Sequence, residues 1–464
     1  MEPIKINLPE QDIPKQWYNL VPDLPVAPHP ALRPDGKIAA PEDYAAIFPM
    51  NLVEQEFSTE PLIDIPTEII EHIMRWRPTP LRRAIWLERH LKTPAKIYYK
   101  DESVSPGGSH KPNTAIAQAW YNKQAGTKTI TTETGAGQWG SALSLACQLM
   151  GIDCKVFMVK VSFDQKPTPQ MLMRTWGGEC VASPSTETEA GRRFLAKDPN
   201  SPGSLGMAIS EAVEAAVKDS TGSTKYALGS VLNHVMLHQT IIGLEAQKQF
   251  ASIGVKKPDI VIGCAGGGSN FAGLAFPYTR DKIHGADIEI IPCEPASSPA
   301  LTKGVFTYDF GDSAGMTPMM AMHTLGHGFV PKPIHAGGLR YHGMSPIVSQ
   351  AVVEGLMAPR AINQLDAFEA AVTWARTEGF IIAPETSHAV AGVIQEAIKA
   401  REEGKEKTIV FTLSGHGLLD LQGYEKYLNG EIVNYDHPTE EIAKAEEELK
   451  DLPKAEARTS GKKW

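Results

Sequence analysis

A lysine lies between a histidine and a proline in Gly108-Ser109-His110-Lys111-Pro112-Asn113. Gly107 and Gly108 permit a tight turn before it, and Pro112 freezes the backbone after it. An amine held on such a turn in a dry pocket loses its proton more easily than a surface lysine, and a neutral amine can form a Schiff base. His110 is placed to donate to a phosphate oxygen, and Asn113 to lie against a cofactor ring. Far downstream, Gly266-Gly267-Gly268-Ser269-Asn270 follows an apolar run. Three consecutive glycines let backbone N–H groups converge. Ser269 and Asn270 add donors at a helix start, where the dipole favours an anion.

An amine for a Schiff base and a nest for one phosphate are together what pyridoxal phosphate requires. The segment Glu133-Thr134-Gly135-Ala136-Gly137-Gln138-Trp139-Gly140 reads two ways. Gly135, Gly137 and Gly140 satisfy G-x-G-x-x-G after a short strand, and Asp153 lies roughly where a ribose-binding acid would, which is the dinucleotide reading. Alternatively, successive N–H groups from Thr134 to Gln138 hold a substrate carboxylate, with Glu133 at the mouth as acid and base. The second glycine cluster favours the latter, because nicotinamide chemistry needs no Schiff-base turn. Ser414 ends another apolar strand and could hydrogen-bond a pyridine nitrogen, leaving it largely neutral. His323, His327, His335 and His342 lack a cysteine or acid to complete a tetrahedron, so no metal is expected there.

The elements that must position these residues alternate along the chain. Short β-branched or apolar runs at 96–100, 127–132, 155–159, 180–182, 259–264, 289–293 and 408–412 read as strands. Helical spacing is predicted at 82–90, 113–124, 140–150, 169–176, 210–218, 238–251, 271–276, 361–378 and 389–402. Near-continuous apolar strands are expected where a parallel sheet is covered on both faces. The expected fold is therefore α/β, with two three-layer αβα domains, mainly parallel sheets, and the site in the cleft between them.

The N-terminal residues 1–60 carry Pro22, Pro25, Pro28, Pro30 and Pro34, which disfavour long helices. They read as an extended arm anchored by Trp17, Tyr18, Tyr44 and Phe48. Residues 61–76 plus 110–236 are expected to form one α/β domain, and 77–109 plus 237–435 the other. Residues 436–464 read as a charged, solvated helical tail with a frayed end.

The bulk properties fit an ordinary enzyme. The 464 residues are 42% hydrophobic and 21% charged, with a formal net charge of −9. An acidic surface argues against nucleic acid or an anionic membrane as partner. Five cysteines without a CxxC pair read as buried thiols in a reducing compartment. No basic leader with an apolar run and no membrane-length apolar stretch is visible, so a cytoplasmic location is expected.

Six motifs in one order carry a resemblance from Arg77-Pro78-Thr79-Pro80-Leu81 onward. They are the His110-Lys111-x-Asn113 turn, Glu133 to Gln138, Gly266 to Asn270, Gly338-Leu339-Arg340-Tyr341, Pro384-Glu385-Thr386-Ser387-His388 and Leu413-Ser414-Gly415. Together they resemble the tryptophan synthase beta-subunit family, in its second class with a longer N-terminal arm.

The resemblance implies a type II pyridoxal-phosphate fold condensing indole with L-serine. It implies Lys111 as the Schiff-base lysine, and His110, Asn113, Gly266, Gly267, Gly268, Ser269, Asn270, Glu385 and Ser414 as cofactor ligands. Thr134, Gly135, Ala136, Gly137 and Gln138 would take the serine carboxylate. Glu133 would assist departure of the hydroxyl and then activate indole. The resemblance further implies a mobile segment over residues 126–220, a homodimer, and a monovalent cation at the Gly266, Leu339 and Tyr341 carbonyls; an alpha subunit of tryptophan synthase is a candidate partner, whose contact the long N-terminal arm would alter or remove.

Two departures stand out. Trp139 replaces a histidine of the first class, and Arg340 replaces an aspartate that helps lock the closed state. Arg340 is thus expected either to close the site with another partner or to receive an anionic leaving group, with O-phosphoserine as donor. A serine or threonine dehydratase on the same fold is the alternative activity. A non-catalytic partner that merely keeps the fold is the alternative from outside the enzymes.

Overall fold

The computed structural model describes residues 3–435 and 439–464. Two sheets dominate it. The larger has seven strands, in the spatial order Lys5–Ile6, Leu81–Arg83, Lys96–Asp101, Thr408–Leu413, Ile260–Cys264, Glu289–Pro295 and Arg360–Ile362. The last five run parallel, and the first two add an antiparallel edge. The smaller sheet has four strands, all parallel: Glu179–Ser183, Asp153–Val159, Thr129–Thr134 and Thr224–Tyr226.

Alternation along the central strands sorts side chains into two cores. Ile260, Ile262, Ile409 and Phe411 join Trp374 and Val390 on one side of the larger sheet. Val261 and Val410 join Tyr98, Phe250 and Leu274 on the other. A strand whose odd and even positions are both buried has helices on both faces, which is why these runs read as continuously apolar. The expected three-layer α/β architecture is what is observed.

Local differences have identifiable causes. Residues 82–90, expected to be one helix, begin with the strand Leu81–Arg83, which pairs with Lys5–Ile6 and Lys96–Asp101; the helix Ile85–Leu91 follows. The helix expected over 238–251 is two helices, Asn233–Gln239 and Ile241–Ser252. They meet at Thr240, whose hydroxyl accepts from the Tyr18 backbone N–H at 2.9 Å, so the arm docks at the join. The 361–378 segment likewise opens with a strand residue pair before the helix Gln364–Glu378. An antiparallel hairpin, Val305–Phe310 with Met319–Thr324, adds to the expected elements.

Among the described residues, the arm and the tail are both packed against the body of the fold. The arm contains short helices, Pro41–Ala45 and Met50–Glu56, and buries Trp17, Tyr18, Tyr44 and Phe48. The tail is not solvated throughout. Ile442, Ala445 and Leu449 form an apolar stripe beneath the glutamates and are buried; Ile442 and Ala445 pack with Leu325 and Phe329. Helix ends at Glu447, and the terminal residues are tied down where Glu354 accepts from the Ser460 N–H and Trp464 Nε1. His29 of the arm also hydrogen-bonds the Glu456 carbonyl of the tail at 2.8 Å.

Candidate active site

The cleft between the two sheets encloses about 900 Å³ of empty space, open solvent at its mouth included. The strand-to-helix turns of both sheets supply its walls, as the C-terminal edges of parallel strands do in open α/β folds. Lys111 immediately precedes the helix Pro112–Gln124. Its Nζ donates to the Gly229 carbonyl at 2.5 Å and approaches Ser269 Oγ at 3.3 Å. Desolvation lowers its pKa to about 8, against the opposing pull of Glu133, Cys264 and Glu385. Such an amine is partly neutral near physiological pH.

His110 is buried beside it, with its backbone N–H on the Ser414 carbonyl and Nε2 3.4 Å from Ser269 Oγ. Burial and the neighbouring Lys111 push its pKa down to about 3, so the ring is neutral. The strand Ile260–Cys264 ends in the three-glycine turn, and the helix Ser269–Ile283 begins there. Gly268 has φ of +108°, a backbone geometry that favours glycine. At Gly266 a Cβ would lie 2.6 Å from the Gly338 carbonyl oxygen, so no side chain fits. Asn270 donates to the Cys264 carbonyl at 3.1 Å, while its own Oδ1 is buried without a partner among the described residues.

Across the cleft, Glu133 is the fifth residue of the strand Thr129–Thr134. Tyr226 donates its hydroxyl to Glu133 Oε2 at 2.6 Å. Desolvation nevertheless raises the Glu133 pKa to about 7, with the Tyr226 hydrogen bond opposing. This carboxyl can serve as both acid and base at neutral pH. The following turn continues into the helix Gln138–Met150, with Gly137 at φ +102°. Thr134, Gly135, Ala136 and Gln138 line the cleft. Gly137 makes the turn rather than the wall.

Glu385 accepts from the Gly338 backbone N–H at 2.8 Å and from Gln138 Nε2 at 3.4 Å. Ser414 shares a 2.7 Å hydrogen bond with Thr386. Both Glu385 and Ser414 line the cleft, as do the three glycines, Ser269 and Asn270.

Besides Gly137, two expected site residues lie outside the lining. One is Asn113. Its side chain is held by Arg77 (2.9 Å), Glu102 (3.0 Å) and Gln239 (3.1 Å) in a buried polar network behind the lysine turn. The reason is helical geometry, since a residue two positions past the lysine leaves on a different face. Arg340 is also outside the lining, although Leu339 and Tyr341 are in it. Its Nη2 donates to Ser162 Oγ at 2.8 Å, reaching from the 337–341 loop to the smaller sheet's side of the cleft.

One segment of the site has no counterpart among the expected residues. After the strand Thr224–Tyr226, residues 226–231 supply the Glu133 donor, the Lys111 acceptor and Ser230, whose hydroxyl accepts from the Ser269 N–H at 3.1 Å. Val231 adopts φ +75°, a strained state for a β-branched residue of the kind that clusters at functional sites. The Gly229-Ser230 pair just beyond a strand end is the sequence signal that could have found it.

The donor set fits pyridoxal phosphate. A glycine cradle that no Cβ could share, the Ser269 hydroxyl beside it and a lysine with a lowered pKa converge on one cleft. Fold and site define a pyridoxal-phosphate-dependent enzyme, and the family model described as "Pyridoxal-phosphate dependent enzyme" matches residues 73–415. The chain is 58% identical to tryptophan synthase beta chain 2 of Thermotoga maritima, over 91% of this chain and 99% of that one. It is 56% identical to tryptophan synthase beta chain 2 of Aquifex aeolicus, over 93% of this chain and 100% of that one. The chain belongs to the tryptophan synthase beta chain family. Among solved structures, a fungal L-serine ammonia-lyase from Rhizomucor miehei superposes with a TM-score of 0.55 at 16% identity, covering 76% of this chain and 98% of that one, a likeness of fold.

Proposed function

We infer that this protein condenses indole with L-serine in a pyridoxal-phosphate-dependent β-replacement, giving L-tryptophan and water. The observation that carries the reading is the convergence of Lys111 Nζ, the three-glycine turn and the Glu133 carboxyl on one cleft. His110, Gly266 to Ser269 and Asn270 would hold the phosphate, Ser414 the ring nitrogen, and Lys111 the aldehyde carbon. When bound, pyridoxal phosphate supplies an electron sink for the charge left at the amino-acid Cα.

The chain's own residues do the rest. Residues 134–138, leading into the helix Gln138–Met150, receive the serine carboxylate on their backbone N–H groups and fix the orientation of Cα. Lys111, with its lowered pKa, takes the Cα proton and later returns it. Glu133, poised near neutrality, gives a proton to the departing β-hydroxyl. As a carboxylate it then receives the proton that indole loses. Trp139, Leu205, Ile209, Leu228 and Val231 form the apolar wall that suits indole and keeps water from the reacting Cβ.

The decisive experiment measures tryptophan from indole and L-serine by the isolated chain, with and without added pyridoxal phosphate. Pyruvate without tryptophan would identify a dehydratase instead.

A second donor has one observation in its favour. Arg340 is buried, its Nε has no partner among the described residues, and its hydrogen-bond partner is a neutral hydroxyl rather than a carboxylate. Although outside the lining, this guanidinium adds positive charge on the loop beside the cleft, which favours an anionic leaving group, as in O-phosphoserine. Comparison of kcat/KM for L-serine and O-phosphoserine decides this, and an unchanged ratio in Arg340→Ala removes it.

Family membership also supports a homodimer, an alpha subunit of tryptophan synthase as partner, and a cytoplasmic location. Family likeness is also what supports a monovalent cation among the Gly266, Leu339 and Tyr341 carbonyls. The same reading treats residues 126–220 as the segment that moves when the cleft closes, with 61–76 plus 110–236 and 77–109 plus 237–435 as the two domains.

A further inference from the structure

Trp139 is the second residue of the helix that follows the 134–138 turn, and its indole ring is almost fully buried in the cleft wall. Two contacts distinguish it from simple filling. A Cβ placed on Gly229 would lie 2.6 Å from the ring, so the ring is packed flush on the Gly229 backbone. The Gly229 carbonyl is the acceptor of Lys111 Nζ. The indole N–H donates to Thr132 Oγ1 at 2.6 Å, and Thr132 donates to the Ala227 carbonyl at 2.5 Å. The ring therefore touches the 226–231 segment directly at Gly229 and through Thr132 at Ala227.

We propose that Trp139 is a positioning residue that couples the carboxylate-binding turn to the Lys111 amine through the Gly229 carbonyl. This rests on the reading that residues 134–138 receive the amino-acid carboxylate. The coupling is mechanical. A densely packed contact transmits displacement because it cannot compress. If the 134–138 turn shifts when a carboxylate docks, the helix start that carries Trp139 shifts with it. The ring must then either slide off Gly229 or move that carbonyl. The Trp139–Thr132–Ala227 hydrogen bonds oppose sliding. Docking of the carboxylate thus sets the position of the acceptor that orients the amine for the Cα proton. Glu133 belongs to the same arrangement, being next to Thr132 and bonded to Tyr226 of the 226–231 segment.

A ring without the N–H separates coupling from packing. Trp139→Phe keeps an aromatic wall and loses the donor; Thr132→Val keeps the volume and loses the acceptor; Thr132→Ser retains the hydroxyl. The readout is the absorbance of bound pyridoxal phosphate on mixing the holoenzyme with L-serine without indole, taken as half-saturation concentration and as limiting rate.

The expected result is a limiting rate lowered about tenfold in Trp139→Phe and in Thr132→Val, the worth of roughly one net hydrogen bond. Half-saturation should move less than about twofold, Thr132→Ser should be restored, and the double variant should be no slower than either single one, as for two residues in one chain of contacts. Additive losses, or a loss in half-saturation alone, overturn the coupling while leaving the carboxylate reading intact. A wild-type holoenzyme with no saturable response to L-serine overturns both. If Trp139→Phe does not fold, Thr132→Val against Thr132→Ser tests the coupling equally well.

Discussion

The Tyr226 hydroxyl and the Glu133 carboxylate face each other across adjacent parallel strands, 2.6 Å apart, with Tyr226 donating. A donor to the ionised form favours that form, while burial favours the neutral acid, and burial prevails.

Removing the donor should therefore raise the Glu133 pKa further above about 7. In Tyr226→Phe the carboxylate form persists only at higher pH. Glu133 must enter the reaction protonated to release the hydroxyl, so the descending limb of kcat/KM for L-serine against pH should move up by about one unit, with the rate at pH 7 rising by no more than about twofold. A pH–rate profile checks it. An unmoved limb would mean that the limb reports another group.

Lys111→Ala should abolish the absorbance of Schiff-base-bound cofactor and lower tryptophan formation by at least about a thousandfold, since a nucleophile and proton carrier is lost together. Measurement needs only a spectrum and a turnover assay. Retained colour with retained activity would place the reactive amine elsewhere.

Gly266→Ala introduces a Cβ 2.6 Å from the Gly338 carbonyl oxygen and 3.0 Å from Leu339 Cα, both backbone atoms that cannot swing aside. A cost of roughly 1–3 kcal/mol in stability is expected, along with weaker cofactor retention. Equilibrium denaturation and cofactor release during dialysis report the two effects separately.

Arg77 is fully buried, bonded to Glu102 at 2.8 Å and to Glu245 at 2.9 Å, and it also holds Asn113. Arg77→Met leaves two buried carboxylates with Lys100, which pairs with Glu245 at 2.6 Å, as the cation beside them, and with neutral donors from Thr79 and Asn113. Breaking such a pair costs about 3–5 kcal/mol. The urea midpoint should fall accordingly; a change under about 1 kcal/mol would show that the network relaxes easily.

Legibility in the sequence follows burial and locality. The strand Ile260–Cys264 is readable because two cores make every position apolar, and its glycine turn because three glycines have few other uses. Lys111 is readable for the same local reason. Asn113 is misplaced by sequence because a motif fixes spacing along the chain and not the direction in which a side chain leaves the helix. The 226–231 segment is faint in the sequence because its Gly229 and Ala227 carbonyls and the strained angle at Val231 have no residue signature, which leaves the Gly229-Ser230 pair as the local signal. The tail misleads because its glutamates outnumber the three apolar residues that fasten it.

The clasp between His29 and Glu456 means that the first and last parts of this polypeptide share one patch of surface. Arg458 reaches the Ala27 carbonyl there as well, and Leu452 and Ala455 pack against the cluster of Leu32, Tyr308 and Met319. The molecule is thus tied into a near-ring, so trimming either terminus loosens the other.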